Sequence, residues 1–134
     1  MCIRGVRGAT VADENHAESI LAATRELLLA ILKAHPSMRP EELASILFTV
    51  TEDLDDAYPA QAARQIGWTE APLICAREIP VPGGIPRCIR VLIHWNTELP
   101  QSAVRHVYLR DAARLRPDWA APETAIAVQS GGEL

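Results

Sequence analysis

Hydrophobic and polar positions recur along this chain with two periods, and each change of period marks a new element. From Cys2 to Thr10 a loose alternation carries β-branched Ile3 and Val6, with Gly5 and Gly8 allowing another backbone to approach; it predicts a strand. Ile20, Thr24, Leu27, Leu28 and Ile31 then follow helical spacing, widened by Leu21 and Leu32. They predict a long amphipathic helix, capped by Asp13 or Asn15 and ending before Pro36. "RPEEL" sets proline ahead of two carboxylates, as a short helix start prefers, and "SILFTVT" returns to strand. Pro59 opens a short helix through "AQAARQI" that stops at Gly67. Strands are predicted from about Ala71 to Ile79 and from about Cys88 to Asn96, as antiparallel neighbours joined through the turn "VPGG". A turn follows Pro100, and "RHVYL" reads as a fifth strand.

This order predicts an α+β fold: a mixed five-stranded sheet with one long helix and short helices, the helices on one face. A single long helix leaves the sheet edges open, so pairing between subunits and an oligomer are expected. Beyond Pro117 the periodicity fades, which predicts one domain over residues 1–118 and a mobile tail over 119–134.

Composition narrows the class. The 134 residues, 49% hydrophobic, suffice for one ordinary core. "MCIRGVRGAT" has arginines where a signal peptide is apolar, and no run reaches the ~18 apolar residues of a membrane span, so a cytoplasmic protein without membrane contact is expected. Cys2, Cys75 and Cys88 are odd in number and lack metal-type spacing; reduced thiols and no metal site are expected. A net charge of −4 argues against a nucleic-acid surface. Twelve of the thirteen cations are arginine, whose planar fork suits carboxylate or phosphate. An Ala- and Arg-rich composition alone accounts for such a bias, so position carries the argument.

Arg90 interrupts the apolar run of "PRCIRVLIHW". Strand parity groups it with Cys88, Leu92 and His94, opposite Ile89, Val91, Ile93 and Trp95, which form the better core face. Arg7 and Glu78 are also charges in or beside predicted strands. Together the three suit either an Arg–Glu ion pair or a polar cavity, since burying them apart is costly. Cys75 has the opposite parity to Glu78, so both line one pocket only if the strand bulges or ends between them. No GxSxG, phosphate loop or helical metal spacing occurs. His16 and His35 fall at helix ends and are expected on the surface; His94 and His106 are expected to be structural. Cys75 lacks the context of an activated nucleophile.

"IRGVRGAT" at 3–10, "GGIPRCIRVLI" at 83–93, "RHVYL" at 105–109 and "LRPD" at 115–118 together resemble the monofunctional, Bacillus-type (AroH class) chorismate mutases, in order from Met1 to about Asp118. The resemblance implies a homotrimer of chorismate mutase-like (ferredoxin-like) subunits around a pseudo-α/β barrel, with active sites between subunits. It implies the Claisen rearrangement of chorismate to prephenate, toward phenylalanine and tyrosine, with no cofactor or metal. By matched position Arg90 meets the ether oxygen of the breaking bond, Arg7 a carboxylate, and Glu78 the ring hydroxyl, with Cys75 nearby. Tyr108 meets the side-chain carboxylate region, and Ile74, Leu115 and Arg116 add binding contacts. "DAYPAQAAR" of the neighbouring subunit supplies Tyr58, Ala60 and Arg64. Gln61 stands where the family often has a cation, and "DAARL" is less β-branched than a last strand prefers. A trimeric hydrolase resembling the imine deaminases and a non-catalytic sensor of small carboxylates are the alternative readings. Neither explains "RCIRV", "RHVYL" and Glu78 together.

Overall fold

The computed structural model describes residues 2–119, and the pleat of its longest strands sets the layers. The elements are β1 (Cys2–Val11), α1 (Ala17–Ala34), β2 (Leu43–Val50), α2 (Ala60–Gln65), β3 (Leu73–Arg77), β4 (Cys88–Thr97) and β5 (Val107–Tyr108). Short 3-10 turns lie at Pro40–Glu42, Gln101–Ala103, Arg110–Leu115 and Pro117–Trp119. The mixed five-stranded sheet runs β3-β2-β4-β1-β5. β4 is antiparallel to both β1 and β2, while β1–β5 and β2–β3 are parallel. The order β-α-β-α-β-β-β differs from the β-α-β-β-α-β order of a ferredoxin-like fold.

One sheet face carries Val6, Ile46, Phe48, Val91, Ile93 and Trp95, buried against Leu27, Leu28 and Ile31 of α1 and Ala60 and Ala63 of α2. Gly8 lets α1 seat on the sheet: a Cβ there would fall 3.0 Å from Ile31 Cδ1, 3.1 Å from Val91 Cγ1 and 3.2 Å from Leu27 Cδ1. The opposite face is covered only at one end, where Ala112 and Ala113 pack with Ala9, Cys88 and Tyr108. The two α-helices thus share one face, and only the 3-10 turn at Arg110–Leu115 packs on the other. "DAARL" joins the 3-10 turn at Arg110–Leu115, which leaves β5 two residues long. Among the described residues no helix is long and apolar enough to cross a membrane.

Three local expectations change. β3 and β4 are not hairpin partners; β2 lies between them. The connection from Glu78 to Arg87 is long enough to pass over the end of β2, where Glu78 N–H donates to the Val50 carbonyl and Arg87 N–H to the Asp53 carboxylate. Neither Asp13 nor Asn15 caps α1: His16 holds that position without a side-chain bond, and Ala17 N–H donates to Asp56 Oδ2 at 2.8 Å. Asn15 instead exchanges hydrogen bonds with Asp55. His35 is buried rather than on the surface, because its ring satisfies two backbone groups. Its Nδ1 lies 2.7 Å from the Ile31 carbonyl and its Nε2 accepts Arg105 N–H at 2.9 Å, which sets the Nδ1–H tautomer. The expectation for residues 120–134 lies outside the described residues.

Candidate active site

Arg90 sits in mid-β4 with Ala9 of β1 on one side and Thr49 of β2 on the other. Ala9 is too short to cover it, so the guanidinium reaches over the sheet face opposite α1. β3 runs parallel to β2 in unbroken register from Leu73 to Arg77, and the Glu78 N–H bond to Val50 extends it by one step. That register carries Glu78 onto the face of Arg90. Arg90 Nε lies 3.5 Å from Glu78 Oε2, with side chains 29% and 24% exposed, so the pair is neither solvated nor fully dry. The Thr49 hydroxyl donates to the same carboxylate oxygen.

Arg7, Glu78 and Arg90 share a cavity of about 290 Å³ with Thr49, Leu47 and Leu92. Beside it stands Tyr108, placed on this face by pairing with Ala9. Arg90 Nε and the Tyr108 hydroxyl are buried without a hydrogen-bond partner among the described residues. Such groups cost free energy unless a ligand or another chain meets them. Burial raises the Tyr108 phenol, against the opposing pull of Arg7, Arg90 and Arg116, so it stays a neutral donor. Burial likewise pushes the Cys88 thiol up to about 11, only partly offset by Arg90, and leaves it no nucleophile near neutrality.

Arg7 is fixed through its backbone, whose N–H donates to His106 Nδ1 at 3.0 Å. His106 is held below its ordinary range by burial and by Arg116 and Arg7. Arg116 pairs with Asp118 and lies over the Trp119 ring. Leu115 packs with the small core under Tyr108.

The remaining sequence-predicted residues gather elsewhere in the chain. The strand does not bulge, so Cys75 stays on the α2 side, with the Ala60 backbone against its thiol and Arg64 near enough to influence it. Burial raises the Cys75 thiol. Tyr58, Gln61 and Cys75 line a second cavity of about 580 Å³, and the Tyr58 side chain stands open. Ile74 shares the Glu78 face but lies at the open edge of the sheet. One chain thus carries two separate walls, Arg7–Glu78–Arg90–Tyr108 and Tyr58–Ala60–Arg64–Cys75.

Thr49, which lines the cavity, and Trp119, which packs on His106, are not among the residues the sequence marks, and His106 reads there as structural only. Thr49 alternates with buried Phe48 and Val50, a parity signal that places it opposite the core. Trp119 and the His106–Arg7 bond had no local signal. Among the described residues no three metal-ligating side chains converge. Two guanidiniums, a carboxylate and a phenol suit an anionic ligand bearing a hydroxyl, held and polarised without a nucleophile.

The family model for chorismate mutase type I matches residues 3–119. A chorismate mutase AroH of Thermus thermophilus is 60% identical over 116 residues, 87% of this chain and 95% of the relative. One of Bacillus subtilis (strain 168) is 41% identical over 119 residues, 88% of this chain and 93% of the relative. The solved structure of a chorismate mutase from Clostridium thermocellum superposes with a TM-score of 0.78 at 44% identity, covering 81% of this chain and 96% of that one. With the family pattern running through every strand that builds the cationic cavity, the chain belongs to the chorismate mutase type I family.

Proposed function

We propose that this protein converts chorismate to prephenate by a Claisen rearrangement, in the branch toward phenylalanine and tyrosine. The observation that carries the reading is the unpaired donor of Arg90 in a cavity shared with Arg7 and Glu78, with the unpaired Tyr108 hydroxyl standing beside it. A concerted intramolecular rearrangement needs no acid, base or nucleophile. It needs a compact reactive conformer and a cation where charge develops. Arg90 stabilises the ether oxygen as its bond to carbon breaks, and Arg7 holds a carboxylate. Glu78, steadied by Thr49, accepts a hydrogen bond from the ring hydroxyl, while Tyr108, Leu115 and Arg116 bind the side-chain end. Protein groups perform every step, without a cofactor.

The second wall, with Tyr58, Ala60, Arg64 and Cys75, comes from a neighbouring subunit of a homotrimeric pseudo-barrel and completes the cleft beside Ile74. Supporting this is an open edge at β3 and the exposure of Tyr58, Ile74, Ile79 and Val81 around it. Residues 1–118 form the working domain, in a cytoplasmic setting. The test is chorismate consumption by purified protein in chelator-treated buffer, with product identification and solution mass measured in parallel. Prephenate from a trimer is expected; a hydrolysis product, or binding without turnover, overturns the reading.

A further inference from the structure

Trp119 closes a chain of contacts that begins inside the site. The Arg7 N–H bond holds His106, whose ring stacks on Trp119 with centroids 3.8 Å apart and planes at 36°. Tyr108 lies 5.8 Å from the same indole. The Arg116 guanidinium sits 3.4 Å over that ring, which fixes its plane by cation–π attraction. Its fork is filled by Asp118, Nε to Oδ1 at 3.1 Å and a terminal nitrogen to Oδ2 at 2.9 Å. This is the two-pronged geometry by which a guanidinium binds any carboxylate. The ion pair is open to water, 40% and 59% exposed, so exchange for another carboxylate is cheap.

We propose that Trp119 is the positioning residue for Arg116, and that Asp118 is an internal stand-in for the ligand carboxylate, holding the fork ready until the ligand displaces it. The proposal rests on the reading of Arg116 as a cation that binds the ligand. Trp119 acts only through Arg116 and touches no reacting atom. Its removal weakens binding and leaves the rearrangement step alone, whereas removal of Asp118 frees the fork.

Chorismate kinetics of Trp119→Ala, Trp119→Phe and Asp118→Asn, each in wild-type and Arg116→Ala backgrounds, test this. Trp119→Ala is expected to raise KM roughly fivefold with kcat within about twofold, and Trp119→Phe to restore most of the loss. Asp118→Asn is expected to lower KM about two- to threefold, in keeping with an exposed pair. Neither Trp119→Ala nor Asp118→Asn changes KM further once Arg116 is alanine. Equal effects in both backgrounds, or a loss of kcat in Trp119→Ala, overturn the proposal. Emission of Trp119, taken as wild type minus Trp119→Phe, is titrated with malonate so that the outcome does not depend on turnover. A saturable change absent in Arg116→Ala supports positioning even if chorismate is untouched; no change overturns it.

Discussion

Arg90 Nε stands 3.5 Å from Glu78 Oε2 across a strand to which neither residue belongs. β2 separates them and contributes Thr49, which donates to Glu78 from below the pair. The long contact leaves Arg90 Nε without a hydrogen bond, so the carboxylate aims the guanidinium without saturating it. A cation held in this way is oriented before the ligand arrives.

On the proposed mechanism, replacing Arg90 by alanine removes the charge opposite the breaking bond. The expected loss is ~3–4 kcal/mol of transition-state stabilisation, about two to three orders of magnitude in kcat/KM, with circular dichroism and solution mass unchanged. Arg90→Lys should recover little, since a point charge cannot serve Glu78 and the ligand through one planar fork. Near-full activity in Arg90→Ala refutes the role.

Thr49→Val keeps the β-branched shape and removes only the hydroxyl that holds Glu78. Bonds to charged groups contribute about 1.5–2 kcal/mol; lost from the carboxylate that orients the ligand, this is a fall of roughly ten- to thirtyfold in kcat/KM. An unaltered rate would show that Glu78 needs no support from β2.

If each site takes Arg90 from one subunit and Arg64 from the next, inactive Arg90→Ala and Arg64→Ala chains complement each other. Refolding them together should restore part of the wild-type turnover, because some mixed clefts carry both arginines. Mixtures that stay as inactive as the separate variants place both residues in one chain's site.

Gly8→Ala tests the seating of α1. The added methyl meets three side-chain carbons at 3.0–3.2 Å, so overpacking of ~1–3 kcal/mol outweighs the gain in unfolded-state rigidity. Thermal unfolding should shift down by several degrees. An equal or higher Tm would mean that Leu27 and Ile31 repack without cost.

Acid sensitivity should come from His106. Burial is the main cause of its lowered pKa; Arg116, Arg7 and His35 add to it and Asp118 opposes. The folded pKa lies below the ordinary 6.5, so the unfolded chain takes the proton first as pH falls. Stability from this group is whole above about pH 6.5 and declines from there toward the folded pKa. Urea midpoints at about pH 7.5, 6.5 and 5.5 should show the decline, and His106→Asn, whose amide oxygen still accepts Arg7 N–H, should flatten it. Turnover has no proton-transfer step and should stay level across neutral pH; a bell-shaped chemical step contradicts the mechanism.

Much of this was legible in the chain because periodicity is local. The alternation in β4 put Ile89, Val91, Ile93 and Trp95 in the core and Arg90 on the other face, and all four apolar residues are buried. The helical stripe of α1 was equally readable, and the ordered strings at 3–10, 83–93 and 105–109 named the family. What folding alone decided were the meetings between distant segments. The pleat fixes which face a strand residue takes but says nothing about which strand lies next to it. Hence the sequence pattern sets β3 beside β4, whereas the long connection after Glu78 lets β2 pair with both. From sequence His35 reads as a surface residue, because its acceptor role depends on Arg105, far along the chain. Trp119 carries no periodicity, and only the docking of the last turn on His106 shows what it holds. Side-chain parity is set by bond geometry within a few residues, whereas the Arg90–Glu78 contact requires three strands to be in register at once.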